Sequence, residues 1–115
     1  MEIVGPSFLH AVTPCARGWR YPPEQTIALS RLAVQTCVFP LYEAHHENGR
    51  PVYELSSPSL AIAKRPEAKK SVEAYLEPQG RFRHLFKPEP RKDLIKMIQD
   101  EIDLRWSILV EKAGL

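Results

Sequence analysis

The stretch "GPSFLHAVTPCARGWRYPPEQTIALSRLAVQT", residues 5–36, decides the fold. Its apolar run "SFLHAV", residues 7–12, follows Gly5 and Pro6. That length and those flanking residues suit a buried β-strand better than a helix. The run leads straight into Pro14 and Cys15, so the cysteine is expected just past the carboxyl end of the strand. Open α/β sheets usually bind ligands at that edge. After the loop, "PPEQTIALSRLAVQT" reads as a helix. Pro23 suits a first turn, where its missing N–H has no intrahelical partner, and Glu24 places negative charge near the positive helix end. Leu29, Leu32, Ala33 and Thr36 share one face, with Arg31 and Gln35 turned away. Strand, loop and helix together make half of a βαβ unit.

The following segments read differently. In "CVFPLYEAHHENGRPVYELS" the pair Asn48-Gly49 favours a type I′ turn, flanked by Phe39, Leu41 and Tyr42 on one side and Val52, Tyr53 and Leu55 on the other. Pro40 and Pro51 push this hairpin to a sheet edge. "SSPSLAIAKRPEAKK" is expected to be a connector crossing a surface. "SVEAYLEPQGRFRHLF" is a short helical stretch broken by Pro78 and Gly80, with Val72, Tyr75, Leu76, Phe82 and Leu85 as apolar anchors. The final segment is the clearest helix, with Ile95, Ile98, Ile102, Trp106 and Leu109 in one stripe. Glu101 and Arg105 form an i,i+4 pair, and Gly114 lies where a cap residue belongs. The chain therefore offers one core strand, one helix, an edge hairpin and a long terminal arm. A buried strand needs neighbours, and no other segment reads as a central strand.

Composition bounds the function. The 115 residues make one domain or a piece of a larger one. Apolar residues are 43% and charged residues 26%, as in soluble globular proteins. Sixteen basic against fourteen acidic side chains leave a net charge of +2, and the pI of 8.6 falls short of the value above about 9 expected of a nucleic-acid-binding domain. Two cysteines make no disulfide framework and point to a reducing cytoplasm. No basic opening of a signal peptide precedes the first apolar run, and no run approaches the ~20 apolar residues of a membrane span. A soluble cytoplasmic protein is expected.

Candidate chemistry is sparse: there is no Gly-rich phosphate loop, nucleophile elbow or close cysteine pair. His45 and His46 are adjacent on a strand and point to opposite faces, which suits a single metal poorly. Cys15 and Cys37 with His10 or His84 make a zinc set of no recognised spacing. Cys37, at a helix end, reads as a buried small hydrophobe. "KRPEAKK" and "RFRHLFK" are basic, and the second alternates with aromatics as a single-strand-binding surface would. Glu67, Glu73, Glu77 and Glu89 dilute that charge, so a solvated or protein-binding face is the better reading. Cys15 stays open between two readings. It is either a packed thiol or, stiffened by Pro14 and Pro22-Pro23 and shielded by Trp19, a ligand for a soft metal or an iron–sulfur cluster. A cluster typically takes four thiolates, so its other ligands would lie outside this chain.

The ordered elements Pro14-Cys15, Gly18-Trp19, Leu32-Ala33-Val34 and Phe39-Pro40-Leu41, with "VEAYLEPQGRFRHL" and the terminal helix, resemble one family over nearly the whole chain. That family is the β subunit, in its C-terminal part, of the 2-oxoacid:ferredoxin oxidoreductases, most closely the pyruvate and branched-chain members. The resemblance implies the C-terminal segment of a thiamine-diphosphate-binding α/β domain (residues 1–37: strand, cluster loop, helix). Residues 38–115 would be an extension with an edge hairpin and a long helical arm.

It also implies that Cys15 supplies the last ligand of a [4Fe-4S] cluster. The other three ligands, and the residues for thiamine diphosphate and Mg²⁺, would lie in the missing N-terminal part. In the complete enzyme the thiamine ylid attacks a 2-oxoacid and CO₂ leaves. Electrons then pass through the cluster to ferredoxin, and coenzyme A accepts the acyl group. The partners implied are the other subunits and ferredoxin, with no membrane and no nucleic acid, and the isolated chain is expected to be inactive. Cys37 stands where the family has a glycine, so an altered helix end is expected there. The competing reading is a non-catalytic interaction module that keeps the family's surface.

Overall fold

A computed structural model describes residues 6–115. Its elements are α1 (Ala16–Trp19), α2 (Thr26–Gln35), β1 (Tyr42–Glu47), β2 (Arg50–Leu55), α3 (Ser59–Lys64), α4 (Val72–Leu76) and α5 (Lys92–Lys112). Short 3-10 turns at Pro23–Gln25, Pro66–Ala68 and Gly80–Leu85 join them. The fold mixes helix and strand, and among the described residues the sheet has two antiparallel strands. The radius of gyration is 16.3 Å, against about 13 Å for a compact domain of this length. The chain is elongated, with extents of 54 × 27 × 20 Å.

The core forms where the apolar spacing placed it. Ala33 of α2, Val72, Tyr75 and Leu76 of α4, Leu85 and Ile95 of α5 make one buried cluster. Leu32, Phe39, Phe82, Ile98 and Ile102 pack around it. Leu29 and Thr36 are also buried on the inner face of α2, and Arg31 is exposed as expected. Gln35 is half-buried rather than turned away, because its carbonyl accepts the Lys70 N–H at 2.9 Å.

The hairpin matches its sequence signal. Asn48 (φ 51°) and Gly49 (φ 77°) are both left-handed, as a type I′ turn requires, and Glu47 pairs with Arg50. The terminal helix also matches. Gly114 (φ 76°) follows it, with Gly114 N–H donating to the Glu111 carbonyl (3.0 Å) and Leu115 N–H to that of Val110 (3.1 Å). These are the two bonds of a Schellman stop.

Two expectations are corrected and a third is sharpened. Residues 7–12 form no strand; residues 6–15 lie outside any helix or sheet, with Phe8 and Leu9 each 87% exposed. The physical reason is the missing ladder: a strand's N–H and C=O groups need a neighbour, and among the described residues no strand pairs with them. The surface connector, residues 56–70, contains α3, because Ile62 is buried and the buried Ser59 Oγ accepts the Leu41 N–H at 2.8 Å. Finally, the long terminal arm α5 docks in part on the chain's own body. Ile95 enters the core, and Gln99 Oε1 accepts the Val72 N–H at 2.7 Å, capping α4. Asp103 accepts from Gln99 Nε2 (2.8 Å) and pairs with Lys69. This polar latch ties the middle of α5 to residues 69–72. The outer face of α5 leaves Met97, Leu104 and Ile108 exposed. Among the described residues, no helix is long and apolar enough to cross a membrane.

Candidate functional site

Cys15 caps α1. Its backbone is extended (φ −123°, ψ 109°), its carbonyl accepts the Trp19 N–H at 2.8 Å, and its Sγ accepts the Gly18 N–H at 3.3 Å. The four residues "ARGW" make a single turn that ends at Arg20, left-handed at φ 59°. A Cβ at Gly18 would lie 3.5 Å from Cys15 Sγ, so any larger residue there would sit against the sulfur. The thiol is exposed. An exposed sulfur with a backbone donor on one side suits a cluster ligand. The residues present therefore fit one ligand position.

Behind the turn the packing is dense. Trp19 meets Tyr21 edge-on (6.2 Å) and Tyr75 edge-on (6.3 Å). The Arg81 guanidinium carbon lies 4.1 Å over the Trp19 ring and 4.6 Å over that of Phe82. Trp19 is thus engaged with the body and anchors the loop from behind, where the sequence suggested a shield over the thiol. Buried Tyr21 follows, its hydroxyl 3.2 Å from Thr26 Oγ1. Sequence reasoning missed Gln79, Gly80 and Arg81. The signal was available in "QGRF", but Gly80 read as a helix break and Arg81 as part of a basic patch.

The same contacts change the reading of "RFRHLFK". Phe82 packs on the core, Leu85 is buried and Arg81 lies on Trp19. The alternation separates inner anchors from the exposed Arg83, His84 and Lys87. Its aromatic and guanidinium faces are largely used internally.

Cys37 is the opposite case. It is 4% exposed, and burial pushes its thiol up to about 11 from 9.0, with nearby Lys69 opposing and Asp103 adding to the rise. It takes the left-handed position after α2 (φ 65°), and its N–H donates to the Val34 carbonyl at 3.0 Å. The expected altered helix end does not appear: the cysteine adopts the conformation a glycine would, and the helix stops normally. Holding a non-glycine residue there costs about 1 kcal/mol.

Cys37 is therefore no second ligand beside Cys15. His10 packs edge-on against Phe39 at 5.1 Å, and His84 is exposed. His45 and His46 lie on β1 opposite Val52 and Pro51, the first half-buried and the second exposed. Among the described residues, no three His, Cys, Asp or Glu side chains converge on a metal position.

Comparison with known proteins gives relatives along almost the entire chain. The pyruvate synthase subunit PorB of Methanosarcina barkeri is 39% identical over 107 residues, which is 93% of this chain and 32% of the relative. The PorB of Thermotoga maritima is 38% identical over 106 residues, 92% of this chain and 29% of the relative. The ketoisovalerate oxidoreductase subunit VorB of Pyrococcus horikoshii is 42% identical over 112 residues, 97% of this chain and 32% of the relative. No family model matches. The chain spans about a third of the length of the curated relatives it matches.

Proposed function

We propose that this chain, a relative over nearly its whole length of the β subunits of 2-oxoacid:ferredoxin oxidoreductases, is the C-terminal part of such a subunit. In that role Cys15 supplies one ligand of a [4Fe-4S] cluster whose other three lie outside the chain. The observation that carries this reading is the Cys15 turn: an exposed sulfur held by the Gly18 N–H in a chain with such relatives. Residues 1–37 then close the thiamine-diphosphate-binding α/β domain, and residues 38–115 form the extension. The unpaired, apolar residues 7–12 become a strand when a neighbouring sheet supplies their ladder. Thiamine diphosphate and Mg²⁺ belong to the remainder of the subunit.

When bound, those cofactors supply decarboxylation and one-electron chemistry. This chain's own residues hold one sulfur in place and extend the sheet. The substrate is a 2-oxoacid. Pyruvate leads, although PorB relatives at 33–40% identity and VorB relatives at 38–42% draw on the same residues. The electron acceptor is ferredoxin, the partners are the remaining subunits, and the compartment is the cytoplasm. The chain by itself has no activity.

Anaerobic capture of the chain from its native cell tests this reading. A cysteine-rich companion chain, with bound thiamine diphosphate and acid-labile sulfide, is the expected result. Recovery with only non-redox partners, free of iron and thiamine diphosphate, would instead support an interaction module.

A further inference from the structure

We infer that Gly80 and Arg81 are positioning residues for Cys15: they lock the Cys15 turn onto the body and so fix where its sulfur points. The inference rests on the cluster reading for its purpose and on the packing for its substance. The turn itself is short. α1 has four residues and is held internally by the Trp19 and Tyr21 N–H bonds to the Cys15 and Ala16 carbonyls. A single turn is unstable alone, because nucleating helix costs more than one or two hydrogen bonds return. The stretch before it, residues 6–14, has no regular structure. Apart from the His10 ring on Phe39, the contacts that hold the Cys15 turn on the body come from the carboxyl side.

Two contacts hold it there. The Gly80 N–H donates to the Arg20 carbonyl at 2.6 Å, at the left-handed residue that ends the turn. The approach is so close that a Cβ at Gly80 would lie 2.7 Å from Arg20 Cβ and 3.0 Å from its carbonyl oxygen. Only glycine allows the two backbones to meet. One residue on, Arg81 covers Trp19 at 4.1 Å.

Arg81 is itself held from below. Gln79, 1% exposed, accepts the Arg81 Nε–H on Oε1 at 2.6 Å and donates from Nε2 to the Tyr75 carbonyl at 2.7 Å. The chain of contacts runs from the core through Tyr75, Gln79 and Arg81 to Trp19 and the cysteine turn. Fixed orientation of a ligand by its surrounding shell is what tunes and retains a metal centre.

The test is amide hydrogen exchange over residues 15–21 in the full 115-residue chain, paired with iron retention under chelator in the anaerobically captured complex. In Arg81→Ala the Trp19 and Tyr21 amides should exchange at least about tenfold faster, with α4 and α5 amides unchanged. Arg81→Lys keeps a cation over the indole and should recover most of that protection. Gly80→Ala should mimic Arg81→Ala, while exposed Arg83→Ala should change nothing. In the complex, Arg81→Ala should shed iron to chelator several times faster than wild type.

Unchanged exchange at Trp19 and Tyr21 in both variants overturns the inference, whatever the iron does. Faster exchange with wild-type iron retention overturns the claim that the lock serves the sulfur. Iron that is indifferent to Cys15→Ser contradicts the cluster reading instead, and leaves the lock to be judged on exchange alone.

Discussion

The amino-terminal stretch, residues 6–15, and the body that follows are made of similar residues and behave oppositely. Each carries a cysteine at a helix boundary. In the body, Cys37 is buried, its thiol pushed up to about 11, and it does the backbone work of a glycine. In the amino-terminal stretch, Cys15 is exposed, with one backbone donor on its sulfur. Phe8 and Leu9 are exposed, while Leu76 and Leu85 are sealed in the core. Residue type does not decide these roles. What decides them is whether the chain supplies a neighbour: the body finds its own, and the amino-terminal stretch has few within the described chain, which on the proposed reading the rest of the subunit would supply.

The sharpest way to break this contrast is to cut one leucine from each region. Leu76→Ala should cost about 3 kcal/mol in urea unfolding, the range for a buried leucine. Leu9→Ala should stay within about 0.5 kcal/mol. Equal losses would mean that residues 7–12 are already packed in the chain.

The two thiols give the next contrast. With iodoacetamide at pH 8, peptide mapping should show Cys37 modified at least about a hundredfold more slowly than Cys15. A thiol at about 11 is only about one part in a thousand thiolate there, and burial blocks the reagent as well. Comparable rates would show that the end of α2 opens readily.

A smaller effect follows from the same group. Below about pH 8 the Cys37 thiol is protonated both folded and unfolded, and its contribution does not change. Between 9.0 and about 11 the unfolded chain ionises first, so stability falls as pH rises, by roughly 2 to 3 kcal/mol in all. Cys37→Gly, which suits the left-handed backbone, should remove that part of the alkaline slope in paired denaturation curves. An identical slope in the variant would contradict the buried thiol.

Smallest is the latch on α5. Burial raises the Asp103 carboxyl, but bonds from Lys69 and Gln99 outweigh it and hold it below 3.8. Its stabilisation is present above the unfolded value and is lost as pH falls through the lower folded one. Asp103→Asn should flatten the acid limb and cost about 1 kcal/mol at pH 7, as for a half-exposed pair.

Local signals in the sequence were legible where they act locally. Asn48-Gly49 specified its turn, Gly114 its cap, and the apolar stripes of α2 and α5 their buried faces. Positions that depend on distant partners were not. Residues 7–12 have the composition of a strand but no ladder here. Ser59 looked like connector until its hydroxyl met the Leu41 N–H. The Cys15 turn was visible as a stiff loop, but its hold on the body runs through Gly80 and Arg81, far along the chain, and no spacing rule links them.

The central claim is that Cys15 carries iron in partnership with residues outside this chain. The direct measurement is iron and acid-labile sulfide, with the electron paramagnetic resonance signal after reduction, on anaerobically captured complexes of wild type and Cys15→Ser. The account predicts a cluster of about four irons in the wild type and its loss or conversion in the variant, with Cys37→Gly unaffected. An unchanged iron content and signal in Cys15→Ser would contradict it.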